Sequence, residues 1–369
     1  MRYYLIAGEA SGDLHAANLM RALKSEDDNA QFRFLGGDLM IAQGGDLVKH
    51  YSEMSYMGFA EVLMNLPAIL RNLKQAKADL LRYKPDALIL VDFPGFNLKV
   101  AEFAKKNGIQ VYYYISPKVW AWNQKRVLKI KKVVDKLFCI LPFEVDFYRS
   151  WGMEVDYVGN PLLDAIAAFK PNTAFREQHG FGDKPIVALL PGSRKQEITK
   201  ILPDMVRVAA RFPQYQFVIA GAPNFTAQFY EDFEKDQKLP LVFGETYDLL
   251  TNADAAIVTS GTATLETALF HIPEVVVYKT SAISVAIARL VIKIRFISLV
   301  NLIMDKLVVK ELIQEDCNPE QISEELAKLL KGGYREEMLR NYEELSSRMG
   351  EPGASEKTAK LIVKSLIKE

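Results

Sequence analysis

The sequence predicts an α/β protein with two Rossmann-like domains and a ligand site in the cleft between them. Short apolar runs alternate with helical patterns along most of the chain, which is typical of parallel sheets covered by helices on both faces. This series restarts after a polar connector at residues 156–185. At 369 residues the chain also exceeds the usual size of one hydrophobic core. Because ligands of such sheets bind beyond the carboxyl ends of the strands, the turns that follow strands are candidates for chemistry.

Nine apolar runs are predicted to be the strands of the two sheets. The first series is MRYYLIAG, FRFLGG, ALILVDF, IQVYYYIS and KLFCILP, and the second is PIVALLPG, YQFVIAG, AAIVTSG and EVVVYK. The last part of the chain is helical and charged, and its segment GASEKTAKLIVKSLIKE carries apolar residues at helical spacing. We predict that this helix packs on a domain, and we expect that domain to be the N-terminal one.

Composition excludes several classes of protein. Lysine and arginine number 46, as do aspartate and glutamate, so no net charge attracts a nucleic acid partner. Cys139 and Cys317 form no CxxC pair, which argues against a zinc site or a disulfide framework and fits a reducing cytosol. The four histidines show no metal-ligand spacing, so we predict no catalytic metal. We also expect no export signal and no membrane-spanning helix.

Some stretches have a composition suited to a membrane surface. Residues 58–70 are rich in large apolar side chains, and residues 281–304 mix apolar residues with arginine and lysine. The segment YYYISPKVWAWNQKRVLKIKK places Trp120 and Trp122 ahead of a cationic helix at 125–136. Each feature has a simple alternative, since a core helix, a core tryptophan and a solvated face have the same composition.

Two turns in the second half have the composition of diphosphate-binding turns. In ALLPGSRKQEI, Ser193 can cap the following helix, and Arg194 places a forked cation beside the positive end of that helix. In AAIVTSGTATLETALF, the small residues Ser260, Gly261 and Thr262 let backbone N–H groups approach a ligand closely. An ordinary capped turn is the alternative for either one alone, but two such turns in one domain favour a nucleotide diphosphate.

Glu266 follows the second of these turns and is predicted to lie in the first turn of the helix. There it can stabilise the helix end or accept hydrogen bonds from a ribose diol, and the sequence leaves both roles open. The turn lacks the GK[ST] ending of a P-loop, so phosphoryl transfer from a triphosphate is not predicted.

Two acidic turns in the first half are candidates for binding hydroxyl groups. Asp92 ends the strand ALILV, where a carboxylate can act as a general base or can simply form a turn before Pro94. In IAGEASGDLHAANLM, Glu9 and Asp13 flank Ser11, and two carboxylates at a helix start would repel a pyrophosphate. We expect Ser11 to contact a sugar and Asp13 to be structural.

These blocks form a set that resembles one family. GEASGDLHAANLMRAL, YYYISPKVWAWNQKRVLKIKK, LPFEVDFY with VGNPLLD, LPGSRKQEI, TSGTATLETAL and SLVNLIMDKLVVKELIQEDC occur in this order over essentially the whole chain. Together they resemble the lipid-A-disaccharide synthases, and the combination of SPKVWAW with SGTATLE is highly specific. Val300 departs from the family's usual proline, and Leu307 stands where a charged residue is common.

The resemblance implies an inverting glycosyltransferase of the two-Rossmann GT-B type that uses no metal or other cofactor. It implies transfer of 2,3-diacylglucosamine from its UDP conjugate to 2,3-diacylglucosamine 1-phosphate, which makes the β-1,6-linked lipid A disaccharide 1-phosphate and releases UDP. The enzyme would be cytoplasmic and peripherally associated with the inner membrane of a Gram-negative bacterium. It would comprise an acceptor and membrane-facing domain at 1–165, a UDP-sugar-binding domain at 166–345 and a returning helix at 346–369.

The family's functional residues carry over to matching positions here. Asp92 resembles the essential carboxylate, a candidate base for the acceptor 6-hydroxyl, and Ser11 would line the active site. The residues implied to bind UDP and its diphosphate are Ser193, Arg194, Ser260, Gly261, Thr262, Glu266, Asn301, Glu311 and Gln314. Acyl chains need an apolar surface, for which the candidates are Phe59, Val62, Leu63, Met64 and Leu66.

Three other functions fit parts of the sequence. Another GT-B enzyme acting on a sugar nucleotide, such as a UDP-N-acetylglucosamine transferase or epimerase, would be indifferent to acyl chains. A nucleotide-binding oxidoreductase would need a GxGxxG turn after the first strand, and GEASG lacks the middle glycine. A non-catalytic module would bind UDP, and a change at Asp92 would affect no turnover.

Overall fold

The computed structural model describes residues 1–54, 65–233, 237–280 and 295–367. The chain forms two compact units, Met1–Ala167 with Glu351–Glu369, here called the N-terminal domain, and Ala168–Gly350, the C-terminal domain. Each contains one parallel sheet with helices between its strands. The predicted pair of Rossmann-like domains is therefore confirmed.

The N-terminal domain alternates strands and helices from its first residues. Its strands are β1 (Arg2–Ala7), β2 (Gln31–Gly36), β3 (Asp46–His50), β4 (Ala87–Val91), β5 (Gln110–Tyr114), β6 (Lys136–Cys139) and β7 (Asp156–Tyr157). Its helices are α1 (Ala10–Glu26), α2 (Asp38–Ala42), α3 (Leu66–Tyr83), α4 (Pro94–Lys106), α5 (Val119–Trp122), α6 (Val127–Val133), α7 (Phe143–Ser150) and α8 (Pro161–Ala168). The strand order is β3-β2-β1-β4-β5-β6-β7, and β4 is buried at all five positions, as a central parallel strand requires.

The C-terminal domain repeats this arrangement. Its strands are β8 (Ile186–Leu190), β9 (Gln216–Gly221), β10 (Leu241–Phe243), β11 (Ala253–Thr259), β12 (Glu274–Tyr278) and β13 (Lys310–Ile313). Its helices are α9 (Phe175–Gln178), α10 (Lys195–Ala209), α11 (Ala227–Glu231), α12 (Thr246–Thr251), α13 (Thr262–Leu269), α14 (Leu299–Met304), α15 (Pro319–Leu330) and α16 (Gly333–Met349). The strand order β10-β9-β8-β11-β12-β13 places β8 and β11 side by side, so the turns that follow them are neighbours.

The last helix, α17 (Ala354–Ile367), belongs to the N-terminal domain. Its Ile362 and Val363 share an apolar cluster with Leu19 of α1 on one face of the N-terminal sheet. The helices α3, α4 and α6 cover the opposite face, where their apolar residues form a second cluster. The predicted return of the C-terminal helix to the N-terminal domain is confirmed.

The nine predicted strands are all present in the sheets, and four further strands lie beside them. These four are β3, β7, β10 and β13, and they are the outermost strands of the two sheets. Among the described helices, none is both long enough and apolar enough to cross a membrane.

Candidate active site

Asp92 lies in a strained turn at the carboxyl end of β4. Its φ angle is 43° and that of Phe93 is 48°, which places two consecutive non-glycine residues in the left-handed region. Such strain persists only where the surrounding structure enforces it, and it clusters at active sites and ligand clamps. Pro94 then begins α4 with the fixed backbone φ that suits a first helical position.

Three hydrogen bonds hold the backbone of the Asp92 turn. The side-chain amide of Asn97 donates to the carbonyl oxygen of Asp92 over 2.7 Å, and the hydroxyl of Tyr113 donates to the same oxygen. The Asp92 N–H donates to the carbonyl of Tyr114 over 3.3 Å, which ties the turn to β5. These bonds offset the strain and fix the position of the carboxylate.

The Asp92 carboxyl is partly buried, and its surroundings change its proton affinity. Burial raises its pKa above the ordinary value, because a low-dielectric environment disfavours the charged form. The cation of Lys118 lowers the pKa, the carboxylate of Glu9 raises it, and the Phe93 N–H lowers it. The net rise moves the pKa of this carboxyl towards the range in which a general base is most effective at neutral pH.

The GEASGD turn lies next to the Asp92 turn, because β1 and β4 are paired in parallel up to their last residues. A methyl group at Gly8 would lie 2.3 Å from ring carbons of Phe93, so only glycine fits at this position. Ser11 is exposed in the first turn of α1.

Asp13 has a structural role, as predicted. Its buried carboxylate accepts hydrogen bonds from the N–H groups of Gly37 at 2.7 Å, Leu39 at 3.0 Å and Met40 at 3.2 Å. These bonds satisfy backbone donors at the start of α2 that the helix itself leaves unpaired.

The SPKVWAW turn separates the roles of its two tryptophans. Trp120 is buried, and its indole N–H donates to the carboxylate of Glu144 over 3.1 Å. Trp122 is 50% exposed, with the guanidinium of Arg126 5.0 Å from the centre of its ring. One tryptophan therefore belongs to the core and the other to the surface, while Lys118 of the same turn is exposed and acts on Asp92.

The turn after β8 presents Arg194 to solvent. Gly192 has a φ angle of 105°, and a methyl group there would lie 2.7 Å from a carboxylate oxygen of Glu197, so the turn requires glycine. Arg194 is the N-cap residue of α10, its side chain is 74% exposed, and its Nη1 lies 3.4 Å from Oε1 of Glu197. The prediction that Ser193 caps this helix is wrong, because Arg194 occupies the cap position and Ser193 is exposed one residue earlier.

The turn after β11 combines a fixed serine with exposed small residues. The hydroxyl of Ser260 donates to the carbonyl of Ile297 over 2.9 Å, while Gly261 caps α13 and Thr262 begins it, both exposed. The helix α13 therefore begins at exposed residues, and the unpaired N–H groups of such a helix start suit an anion.

Glu266 lies in the second turn of α13, and the prediction that it lies in the first turn is wrong because the helix begins at Thr262. Its carboxylate accepts a hydrogen bond of 2.9 Å from the hydroxyl of Tyr247. Burial raises the pKa of Glu266, and the Tyr247 bond lowers it. Because Glu266 does not lie at the helix start, it does not stabilise that end of the helix. The bond from Tyr247 holds its carboxylate in one orientation.

Asn301 and Glu311 form a rigid frame beside the Ser260 turn. The Asn301 amide donates to the carbonyl of Val309 and to Glu311, both over 2.8 Å, and its oxygen accepts the N–H groups of residues 308 and 309. Glu311 also accepts the N–H groups of Ile297 and Ser298, each over 2.9 Å. Because Ile297 in turn binds Ser260, the frame fixes the turn that precedes α13.

The same part of the C-terminal domain contains Gln314 and the two departures from the family pattern, Val300 and Leu307. The side-chain oxygen of Gln314 accepts the N–H of Thr280 over 2.8 Å, which joins the ends of β12 and β13. Val300, the residue in place of the family's proline, is fully buried in α14. Leu307, the other departure, is 60% exposed.

Other residues at these turns act on the predicted site residues in ways that the sequence did not show. Glu9 and Lys118 act on Asp92, and Tyr247 orients Glu266. Thr259 is buried beside Gly192, and its hydroxyl has no hydrogen-bond partner among the residues that the structure describes. The sequence did offer a signal for Lys118, since it is the cation between SP and VWAW in that motif. It offered none for Tyr247, because Tyr247 lies on a different helix from Glu266.

Part of the predicted site lies outside the described residues, namely Phe59, Val62, Leu63 and Met64. Leu66 begins α3 and is 46% exposed. Within the described ranges, no group of three or more histidine, cysteine, aspartate or glutamate side chains is arranged to hold a metal ion.

Solved structures that share this fold place the chain in the GT-B class. A glycosyltransferase of kitacinnamycin matches with a TM-score of 0.68 at 14% identity, over 99% of each chain. A UDP-GlcNAc 2-epimerase from Neisseria meningitidis, solved with UDP-GlcNAc bound, matches with a TM-score of 0.65 at 14% identity, over 100% of each chain. At these identities the likeness establishes the shared two-domain GT-B fold alone.

Sequence comparison identifies the family within this class. A model of the lipid-A-disaccharide synthetase family matches residues 3–364. The lipid-A-disaccharide synthase of Myxococcus xanthus is 43% identical over 99% of this chain and 97% of its own length, and that of Syntrophus aciditrophicus is 41% identical over the same shares. The chain belongs to the lipid-A-disaccharide synthetase family.

Proposed function

We propose that this chain transfers 2,3-diacylglucosamine from its UDP conjugate to the 6-hydroxyl of 2,3-diacylglucosamine 1-phosphate, with inversion at the anomeric carbon. The products are the β-1,6-linked lipid A disaccharide 1-phosphate and UDP. The observation that carries the proposal is the family match over residues 3–364, and the Asp92 turn supplies a suitable base.

Asp92 activates the acceptor in this proposal. Its carboxylate takes the proton of the 6-hydroxyl as the hydroxyl oxygen bonds to the donor's anomeric carbon, and the bond from that carbon to the β-phosphate oxygen breaks. A base whose pKa is raised by burial holds the transferred proton better than an ordinary aspartate does. Ser11, exposed beside this turn, would contact a hydroxyl of the sugar.

Arg194 and the starts of α10 and α13 stabilise the departing UDP. Charge develops on the β-phosphate as the glycosidic bond breaks, and a cation together with helix N–H groups lowers the barrier to that step. The ion pair of Arg194 with Glu197 is exposed on the arginine side and therefore contributes little, so Arg194 can turn towards a phosphate at small cost. Ser193, Ser260, Gly261 and Thr262 would add donors around the diphosphate.

The remaining nucleotide contacts rest on the carboxylate of Glu266. Its orientation is set by Tyr247, which suits acceptance of hydrogen bonds from the ribose diol. Asn301, Glu311 and Gln314 would act near the nucleotide by fixing the segments at 297–301 and 280, because their side chains bind backbone groups there.

Acylated substrates require contact with the lipid phase, so we propose that the protein acts at the cytoplasmic face of the inner membrane as a peripheral protein. Leu66 and Leu70 on α3 are 46% and 53% exposed, and they continue the apolar stretch that begins at residue 58. Phe59, Val62, Leu63 and Met64 belong to that stretch.

The alternative is an enzyme of the same fold that acts on UDP-N-acetylglucosamine as transferase or epimerase. Solved UDP-GlcNAc 2-epimerases share the fold at 11–16% identity, which carries no argument about activity. The family match and relatives above 40% identity favour the lipid A reaction.

The test is a turnover assay with the full-length protein in detergent. UDP-2,3-diacylglucosamine and 2,3-diacylglucosamine 1-phosphate are mixed, and the disaccharide 1-phosphate and UDP are measured by mass spectrometry. We expect both products in equal amounts, and none when the acceptor is omitted. Conversion of UDP-N-acetylglucosamine without an acceptor would support the epimerase, and absence of product from folded protein that binds UDP would overturn the proposal.

A further inference from the structure

A groove lies between α3 and α4 on one face of the N-terminal domain. Its open volume is about 610 Å³. Its walls include Leu70, Leu73 and Phe103, together with Lys74, Lys77 and Lys99. The groove therefore combines an apolar surface with several cations.

Three of these cations have no carboxylate partner in the part of the chain that the structure describes. Lys74, Lys77 and Lys99 form no ion pair there, although Glu102 lines the same groove. Glu102 is taken by Lys106 at 3.2 Å and by Lys129 at 2.9 Å. Among the described residues, the groove thus presents positive charge that no carboxylate pairs with.

The helix dipole does not account for these lysines. A helix dipole favours cations in the last turn, where Lys105 and Lys106 end α4, but Lys74, Lys77 and Lys99 lie in helix interiors. Like charges three residues apart, as in Lys74 and Lys77, repel each other on a helix surface. An anion bound between the two helices would remove this repulsion.

The apolar part of the groove continues along the same helix. Leu66, Leu70 and Lys74 follow one another at intervals of four residues on α3, and the two leucines are exposed. The ammonium of Lys77 lies 5.3 Å from the centre of the Phe103 ring. A ligand that matches this sequence of contacts has an anionic group joined to an apolar body, as a phospholipid has.

The face of the N-terminal domain that carries the groove is rich in positive charge throughout. The helices α3, α4 and α6 carry ten lysine and arginine residues and two acidic residues. On the opposite face, α1 and α17 together carry five lysine and arginine residues and three acidic residues. Leu128 of α6 is also 52% exposed. In a chain with no net charge, this asymmetry orients one face towards an anionic surface.

We propose that the groove between α3 and α4 binds the phosphate of an anionic phospholipid and docks this face on the bilayer. Lys74, Lys77 and Lys99 bind the phosphate, while Leu66 and Leu70 contact the adjoining acyl region. The inference rests on the proposed membrane function and assigns it a headgroup site outside the residues that act on UDP or the acceptor hydroxyl.

The test measures binding of the full-length protein to vesicles of phosphatidylcholine alone or mixed with phosphatidylglycerol. The variant K74Q/K77Q/K99Q is compared with K24Q/K360Q/K364Q, which removes three exposed lysines from the opposite face. Each lysine near an anionic membrane contributes about 1 kcal/mol, so we expect the groove variant to lose roughly 100-fold in affinity at low salt. The matched variant should stay within a few-fold of wild type, and wild-type binding should weaken as salt rises.

Equal losses in the two variants would overturn the proposal, because net charge alone would then explain binding. So would unchanged binding of the groove variant, or equal wild-type binding to both kinds of vesicle. Soluble glycerol phosphate is also added to the vesicle-bound protein. Full release of the protein would overturn the proposed docking, because it would indicate a phosphate site that does not hold the protein on the membrane. Turnover in detergent separates this inference from the proposed function, since the groove variant should keep the wild-type kcat there.

Discussion

The carboxyl edges of the two sheets differ in both backbone and charge. At the N-terminal edge, Asp92, Phe93 and Ile115 adopt φ angles of 43°, 48° and 64°, so side chains occupy left-handed positions. At the C-terminal edge, the turn after β8 uses Gly192 at a φ angle of 105°, Gly261 after β11 has an extended backbone, and Gln314 after β13 has a φ angle of 56°. The first edge carries Glu9 and Asp92 with Lys118 beside them, and the second carries the exposed Arg194 with small hydroxyl residues.

This difference suits the two edges to two kinds of ligand. A strained turn that keeps its side chain places a carboxylate where a hydroxyl proton can be taken. A turn built on glycine and serine leaves backbone N–H groups accessible, which suits a phosphate. We therefore expect changes at the first edge to alter chemistry and changes at the second to alter nucleotide binding.

The largest effect should come from Asp92→Asn. The amide cannot accept the hydroxyl proton, so we expect kcat to fall roughly 10²- to 10⁴-fold, the usual contribution of a general base. UDP affinity, measured by calorimetry, should stay close to that of the wild type. Asp86→Asn, an exposed aspartate at the opposite end of β4, is the matched control and should keep its turnover. A loss of UDP affinity in Asp92→Asn would instead assign Asp92 to the nucleotide.

Arg194→Gln should give the next largest effect. A hydrogen bond to a charged group contributes roughly 1.5–3 kcal/mol, so the dissociation constant for UDP should rise about 10- to 100-fold. Arg211→Gln, an exposed arginine that follows the same helix, is the control and should bind UDP normally. Unchanged UDP binding in Arg194→Gln would remove this residue from the diphosphate site.

The smallest effect concerns the pH dependence of kcat/KM. The base works deprotonated, so activity is present above the pKa of Asp92 and is lost as pH falls through it. Glu9→Gln removes a charge that raises this pKa and should move the acid limb to lower pH, whereas Lys118→Gln should move it to higher pH. Shifts in the same direction for both variants would contradict the assigned surroundings of Asp92. The control is Lys170→Gln, which changes an exposed lysine of the C-terminal domain and should leave the pH profile unchanged.

The sequence predicted the central strands well and the edge strands poorly. All nine predicted runs are strands, because strands buried on both faces need continuous apolar residues, as ALILV of β4 illustrates. The outermost strands read DLVKH, DY, LVF and KELI, which are short or carry charges. Edge strands face solvent and are blunted by such residues, so they give no apolar signal.

Local motifs located the turns but not the partners of their side chains. The strand-turn pattern placed Asp92, Arg194 and Ser260 after strands, and the structure puts them there. It could not show that Ser260 binds the carbonyl of Ile297 or that Glu266 is held by Tyr247, because these partners come from other elements. The wrong cap at Ser193 has a local cause, since a helix start shifted by one residue changes which residue caps it.

Hydrogen exchange of the full-length protein with and without UDP tests the division between the two edges most directly. We expect UDP to protect amides in 191–198 and 260–266 and to leave the segments 8–13 and 92–97 unchanged. Protection of 8–13 and 92–97 with none at 191–198 and 260–266 would contradict the account, because UDP would then bind at the edge assigned to the acceptor.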